Sequence, residues 1–570
     1  MRSLRHVNVG CTLLIGLAAC GGDSPTQASA SCTAASAQAI TLAVGDYVSI
    51  DPATNNGCVR FPANASTKDT TEYLLVPQSV ASAPNDSAPF YLLNGARLLP
   101  ATQSVRGNLA PPIPRRRSIG AEFDAFLRRA ARNGFAGMGR PRHPNEVVRA
   151  PIAGAAPACP ATGSLAGSVG CVKTFIVCDT VTCQTTVNVA AQLRSLGNHV
   201  AFFVDTLAPA GGLTVADLDS LKPTFDTLLY PLDTVNFGAP SDIDNNGVVI
   251  ILMTGVVNQL VTKAFCDSVG FVLGFFFGGD LYRQTSFNYN HGEIYYSLVA
   301  DPDSTLSCAH PAASVKRQSP RTFVHELEHM VNFAQHSVLR GGSQEEGWLD
   351  EGLATYAEEL AADHYLLLGD IPRYNGMLLF GDLFDAYEYL YDPGSYYLMI
   401  PQDDGTIGEI GASWLFVRYL MDQFGPGLAA KLVQTAQFGS ANITAQTGKD
   451  YRTLLSNWAF ANWVSDLPGF TAKPEHRYTS WQFRTVYDTL RNNLRAQGDS
   501  IDFPRPFPLV PASTLADSVY LVEMLRSGSA WYWRAVQRPG DPAFTLAFVS
   551  TSLQPIAARA APRLNVIRLR

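Results

Sequence analysis

His325-Glu326-Leu327-Glu328-His329 is the stretch on which the reading of this chain turns. Residues four apart on an α-helix lie one turn apart on one face. Both imidazoles can therefore meet a single cation, at about 2.0–2.1 Å for Zn²⁺. Glu326 projects beside them and can reach a water on that ion without ligating it. Ser319 reads as an N-cap and Pro320 as the first helical residue. Val324, Leu327, Val331 and Ala334 recur at three- and four-residue spacing and predict a buried stripe. His325, His329 and Asn332 fall on the other side, and Glu328 reads as a solvated helix position.

Two imidazoles leave zinc short of a third protein ligand. Downstream lies Gly347-Trp348-Leu349-Asp350-Glu351-Gly352-Leu353-Ala354. Ser343-x-x-Glu346 reads as a capping box that opens a second helix. Glu351 follows His329 after 21 intervening residues, enough for a loop and a returning helix. Glu345, Glu346, Glu358 and Glu359 compete with it. Glu358 shares the face of Glu351 and is the main rival ligand.

His325-Glu326-x-x-His329 followed by Trp348-Leu349-x-Glu351-Gly352-Leu353 resembles the glutamate-zincins, most of all the hyicolysin-like bacterial peptidases. The likeness extends over roughly residues 170–480. It takes in Ser241-Asp242-Ile243-Asp244-Asn245-Asn246-Gly247 and Gly411-Ala412-Ser413-Trp414-Leu415-Phe416. The resemblance implies zinc ligation by His325, His329 and Glu351, with Glu326 as general base. Asp350 matches a position that supports a ligating histidine, or else is a plain acidic residue at a helix N-terminus. The implied activity is zinc-dependent endopeptidase cleavage of protein or peptide substrates. Glu326 would take a proton from activated water and deliver it to the leaving amine. Tyr356, Tyr389, Tyr396, Tyr397 and His336 are candidate extra donors, none of them assigned.

The flanks set the cellular address and the fold class. Arg2 and Arg5 precede an apolar stretch from Val7 to Ala19, a signal-peptide pattern over residues 1–19. Leu17-Ala18-Ala19-Cys20 resembles a bacterial lipobox, so Cys20 is expected to be lipidated, with a tether over 20–35. The alternative is an ordinary secretory signal. The expected location is therefore the bacterial cell envelope, held to a membrane by a lipid anchor, or outside the cell. With Cys11 and Cys20 set aside, eight of the ten cysteines remain. An even number in an exported chain favours disulfides: Cys32 with Cys58, pairs among Cys159, Cys171, Cys178 and Cys183, and Cys266 with Cys308. A zinc knot is the alternative for the Cys171, Cys178 and Cys183 cluster.

The 570 residues are 46% hydrophobic and 16% charged, which suits a packed chain. A net charge of −7 argues against nucleic-acid partners. The expected class is α+β, a zincin-type domain with a mixed sheet and a helical part at 159–495. Small β-domains flank it at 36–104 and 496–570. Residues 105–158 read as a linker, propeptide-like, with one helix from Ala121 to Phe135. Asn188 to Gly197 reads as helical. Asn288 to Val299 reads as a strand, either interior or an edge that pairs with substrate. Asp242, Asp244 and Asn246 match the start of a calcium loop, but the twelfth position is Met253, so a polar turn is the competing reading. A non-enzymatic surface lipoprotein, a binding or scaffold module on a zincin fold, is the alternative function.

Overall fold

A computed structural model describes residues 32–84, 86–95, 118–135, 138, 140–141, 156–282, 289–378, 381–401, 405–498 and 501–570. The signal segment and Cys20 lie outside the described residues. Among the described residues the chain is mixed α/β, with three sheets and a helical layer.

The central sheet is mixed. Ile294–Ser297, Val249–Met253 and Val200–Asp205 run parallel, each pair in register, and form its middle. Their unbroken apolar character fits strands covered on both faces; Val249–Met253 is buried throughout. Gly274–Phe276 closes one end, antiparallel to Ile294–Ser297. Thr185–Leu196 pairs antiparallel with Val200–Asp205 on the other side, and with Val172–Cys178.

The Thr185–Leu196 strand corrects the helical expectation for Asn188 to Gly197. Ala190, Ala191, Gln192, Leu193 and Arg194 favour helix by composition. Burial nonetheless alternates, with Val189, Ala191, Leu193 and Ser195 inside and Asn188 and Arg194 outside. Pairing on both edges overrides the local preference.

The two terminal β-stretches do not form separate units. Their strands interleave in two five-stranded sheets. Thr71–Ser79 lies between Trp533–Gln537 and Pro562–Arg568, both from the C-terminal stretch. Ser87–Asn94 lies between Phe544–Ser550 and Tyr520–Arg526. Phe61, Phe90 and Phe548 from one sheet share a core with Tyr73, Leu75, Leu564 and Val566 from the other. Each stretch alone would leave central strands unpaired, and this pairing between remote segments has no local sequence signal.

Cys32–Cys58, Cys159–Cys171, Cys178–Cys183 and Cys266–Cys308 are disulfides. The pairing leaves no thiolates for a zinc knot at Cys171, Cys178 and Cys183. Among the described residues no helix is long and apolar enough to cross a membrane.

The helix bearing the HExxH residues runs Ala312–Phe333, eight residues longer at its start than Ser319 and Pro320 suggested. Pro320 sits inside it, and the Ser319 hydroxyl donates back to the Val315 carbonyl at 2.8 Å. The extra turns are held by Val315, which is buried, and by Lys316 Nζ at 2.9 Å from Asp217 Oδ1. The next helix, Gly347–Leu367, starts without the expected capping box. Glu346 caps by position only, and its carboxylate accepts from Trp348 Nε1 at 2.6 Å. A Cβ on Gly352 would stand 2.7 Å from the Ser413 carbonyl oxygen, so glycine lets this helix lie close against Ile407–Phe424.

His476 fills the seam between the sandwich and the helical layer. It is buried, with ring centroids 4.4 Å from Tyr47 and 4.9 Å from Phe460. Burial, aided by Lys473 and opposed by Glu475, pushes its imidazolium down to about 4. The unfolded chain thus binds a proton here between pH ~6.5 and ~4 that the folded chain refuses. Stability falls as pH drops through that window, by up to about 1.4 kcal/mol per pH unit from this group. Replacing His476 with Phe should flatten the acid limb of a melting-temperature profile between pH 6.5 and 4. An unchanged slope would sink the assignment.

Candidate metal centre

The Ala312–Phe333 and Gly347–Leu367 helices pack side by side and bring His325, His329 and Glu351 together. The two Nε2 atoms are 3.2 Å apart. Glu351 Oε2 lies 3.6 Å from His325 Nε2, and Oε1 lies 4.0 Å from His329 Nε2. Donors bound tetrahedrally at 2.0–2.1 Å would stand about 3.3 Å from one another. The donor set and its spacing therefore fit a zinc ion, with two imidazoles and a carboxylate converging from two helices.

The far nitrogens of both rings are held by carboxylates of the same helix. His325 Nδ1 is 2.8 Å from Glu358 Oε1, and His329 Nδ1 is 3.1 Å from Asp350 Oδ2. The Glu358 contact orients the His325 ring, and the Nε2 atoms of both rings face Glu351. The Arg321 guanidinium in turn pairs with Glu358. Burial works against charge on His325, but Glu358, Glu351 and Glu326 outweigh it and raise the imidazolium to about 10. The same carboxylates favour any cation placed at Nε2. Burial also opposes ionisation of Asp350, Glu351 and Glu358. Their cationic neighbours win, and all three carboxyls sit below their ordinary range.

Glu326 is buried, and its Oε2 accepts from the Phe276 backbone N–H at 2.9 Å. Phe276 belongs to Gly274–Phe276, the strand at the end of the central sheet. Burial, with Asp124 and Glu351 adding to it, pushes the Glu326 carboxyl well above its ordinary value. A carboxylate so placed holds a proton readily.

Several sequence expectations need correction. Glu328 is not solvated. It is fully buried, and its Oε1 accepts from Asn332 Nδ2 at 3.2 Å. Burial and the nearby Asp350 hold its carboxyl well above the usual range. The helix is enclosed on this side too, which an i, i+3 pattern of apolar residues does not reveal. Glu358, weighed as a rival ligand, faces the back of His325 instead. Ile294–Ser297 is interior, and the edge belongs to Gly274–Phe276. None of Tyr356, Tyr389, Tyr396, Tyr397 and His336 lines the cavities beside Glu326.

At the Asp242 loop, Asp242, Asp244 and Glu293 come together. Asn246 Nδ2 donates to Asp244 at 2.8 Å, and Lys173 Nζ is 3.8 Å away. Glu293 accepts from Ser241 and from the Ile243 N–H. These contacts satisfy the loop as a polar turn, and calcium finds no support there.

Two residues that the sequence left in a linker reach the centre. Arg128, on the helix Ile119–Arg132, places NH2 2.7 Å from Glu351 Oε1 and NH1 3.4 Å from Asp350 Oδ2. Asp124, one turn earlier, lines the cavities on both sides of Glu326. The only signal was the i, i+4 spacing of an acid and a base on an amphipathic helix, which ordinarily marks a solvated face.

No protein-family model matches the chain. Over 156 residues it is 28% identical to the neutral metalloprotease ShpI of Staphylococcus hyicus. The similarity is to a metalloprotease. It covers 26% of this chain and 32% of that protein, so the match spans about a third of the relative's length.

If Glu358 and Asp350 orient the imidazoles, Glu358→Gln and Asp350→Asn should each weaken zinc binding about 10–100-fold. Competition against a chromophoric chelator measures this. Wild-type affinity in Glu358→Gln would remove its assigned role.

Proposed function

We propose that the chain is an exported zinc-dependent metalloendopeptidase. The observation that carries this reading is the convergence of His325 Nε2, His329 Nε2 and Glu351 on one point beside the Glu326 carboxylate. His325, His329 and Glu351 would hold the ion, which supplies Lewis acidity and lowers the pKa of water toward about 7. Glu326 keeps Oε2 on the Phe276 N–H, leaving Oε1 to take the proton from the attacking water. The same oxygen returns that proton to the leaving amine. Glu358 and Asp350 keep the two rings aimed while charge develops. An extended peptide can add along the edge strand Gly274–Phe276, where backbone groups other than the Phe276 N–H bind it without regard to sequence. The scissile bond then lies next to Glu326, because the strand and the general base already share a hydrogen bond.

The distant similarity to a neutral metalloprotease supports peptide substrates. Four disulfides support an oxidising compartment. Anchoring through Cys20 rests on the lipobox alone.

The test is a pair of measurements on the full chain. Wild type should carry one zinc and cut casein or a quenched peptide library, with loss of cleavage on chelation. Glu326→Gln should keep the zinc and lose about 10²–10⁴-fold in kcat/KM. Retained zinc with equal, chelator-insensitive behaviour in both proteins would favour a binding or scaffold module instead.

A further inference from the structure

We infer that the helix Ile119–Arg132 is an inhibitory segment of this chain, seated in the substrate cleft and displaced when the enzyme works. The inference rests on the peptidase reading and adds a mode of regulation to the same site.

The helix is built to dock. Ser118 caps it, and its Oγ accepts from the Ala121 N–H at 3.4 Å. Phe123 and Leu127 are buried on one side, and Ala125 is buried on the other. Phe123 packs edge-on against Phe275 of the edge strand, with centroids 4.9 Å apart. Phe135, just past the helix, packs against Phe277, Tyr282 and Tyr289. The helix therefore lies against the strand to which a peptide would add.

Its polar residues reach the chemistry. Arg128 pairs with Glu351 at 2.7 Å, and its carbonyl accepts from Gln344 Nε2 at 2.5 Å. Asp124, Leu127, Arg128 and Ala131 enclose, with Glu326 and His329, a cavity of only about 40 Å³. That is room for about one water, against the roughly 300–1,000 Å³ of a ligand pocket. On the other side of the helix, a cavity of about 260 Å³ is lined by Asp124, His325, Glu326 and Glu351. The helix thus divides one cleft in two directly over the convergent donors. A peptide cannot lie across Glu326 while the helix is there. A helix that served only as scaffold has no need to place a guanidinium on the carboxylate that completes the donor set.

The test uses the full, zinc-loaded chain and two variants, Leu127→Asp and Arg128→Ala. Leu127 touches the cleft without pairing with Glu351, so its variant separates docking from effects on the donors. Hydrogen exchange of residues 119–132 reports release of the helix. A fluorescent peptide hydroxamate reports access to the cleft, and a quenched peptide reports cleavage. Release should accompany at least tenfold tighter hydroxamate binding and at least tenfold higher kcat/KM, at unchanged zinc content. Faster exchange of 119–132 with unchanged hydroxamate affinity would overturn the inference. Tighter hydroxamate binding with no peptide cut by any form would uphold it while ending the peptidase reading. Should Leu127→Asp lower the melting temperature of the whole chain, Arg128→Ala decides on the same criteria.

Discussion

The site depends on the pairing of charge in a place that water hardly reaches. Glu326, Glu328, Asp350, Glu351 and Glu358 are all buried within a few turns of two helices. Ionised carboxylates taken out of water cost several kcal/mol each unless matched. The match comes from His325 and His329 within the two helices, and from Arg321 and Arg128 on their flanks. Where a cation is within reach, the carboxyl stays ionised, as in Asp350, Glu351 and Glu358. Where burial outweighs the nearby imidazoles the carboxyl is pushed up, as in Glu328, 3.9 Å from His329 Nδ1, and in the fully buried Asp233, on which His325 pulls the other way. The division assigns acid and ligand roles through environment, not residue type.

One helix, Gly347–Leu367, carries a disproportionate share of this arrangement. It places Glu351 beside the two Nε2 atoms, Asp350 at the back of His329 and Glu358 at the back of His325. Asp350 and Glu351 are adjacent, so they point about 100° apart round the helix and meet His329 on different ring nitrogens, Nδ1 and Nε2. Glu358 lies two turns on and meets the other ring. A small rotation of this helix would misplace all three at once. Its packing explains why that is resisted. Gly352 brings the Ile407–Phe424 helix into close approach, and Glu359, on the outer side, binds Trp414, Trp481 and Arg418.

What could be read from sequence followed from periodicity and local motif. The spacing of His325, Glu326 and His329, the buried stripe from Val324 to Ala334 and the apolar strand at Val249–Met253 are all local patterns, and each is present. Cys32–Cys58 and Cys266–Cys308 follow from neighbourhood in the chain, whereas the sequence leaves the pairing within Cys159, Cys171, Cys178 and Cys183 open. What escaped was set by tertiary contact. Thr185–Leu196 has a helical composition, but two neighbouring strands decide its state. Ser319-Pro320 has the form of a helix start, yet contacts from Val315 and Lys316 carry the helix past it. The terminal β-stretches complete each other over more than 400 residues, as Asn94 Nδ2 to the Ala516 carbonyl illustrates. Nothing local to either stretch announces the other. Arg128 escaped for the same reason, because its partner Glu351 is 223 positions away in the numbering.

Glu351 engages its neighbours through different oxygens. Oε1 faces Arg128 at 2.7 Å, while Oε2 is the atom nearer His325, at 3.6 Å. A guanidinium on one oxygen and a cation near the other need not exclude each other, so a docked helix is compatible with a loaded centre. Two positive groups on one carboxylate weaken each other's hold, however, because each draws on the same charge. Binding of a divalent ion therefore loosens the Arg128 contact, and the apolar contacts of Phe123 and Leu127 must retain the helix. Burying a Phe or Leu side chain contributes about 1.5–3 kcal/mol. A peptide that gains backbone hydrogen bonds to Gly274–Phe276, each contributing about 0.5–1.5 kcal/mol, opposes that retention. The balance between occluded and open cleft thus lies within the reach of substrate concentration, where a purely structural helix would have been anchored beyond it.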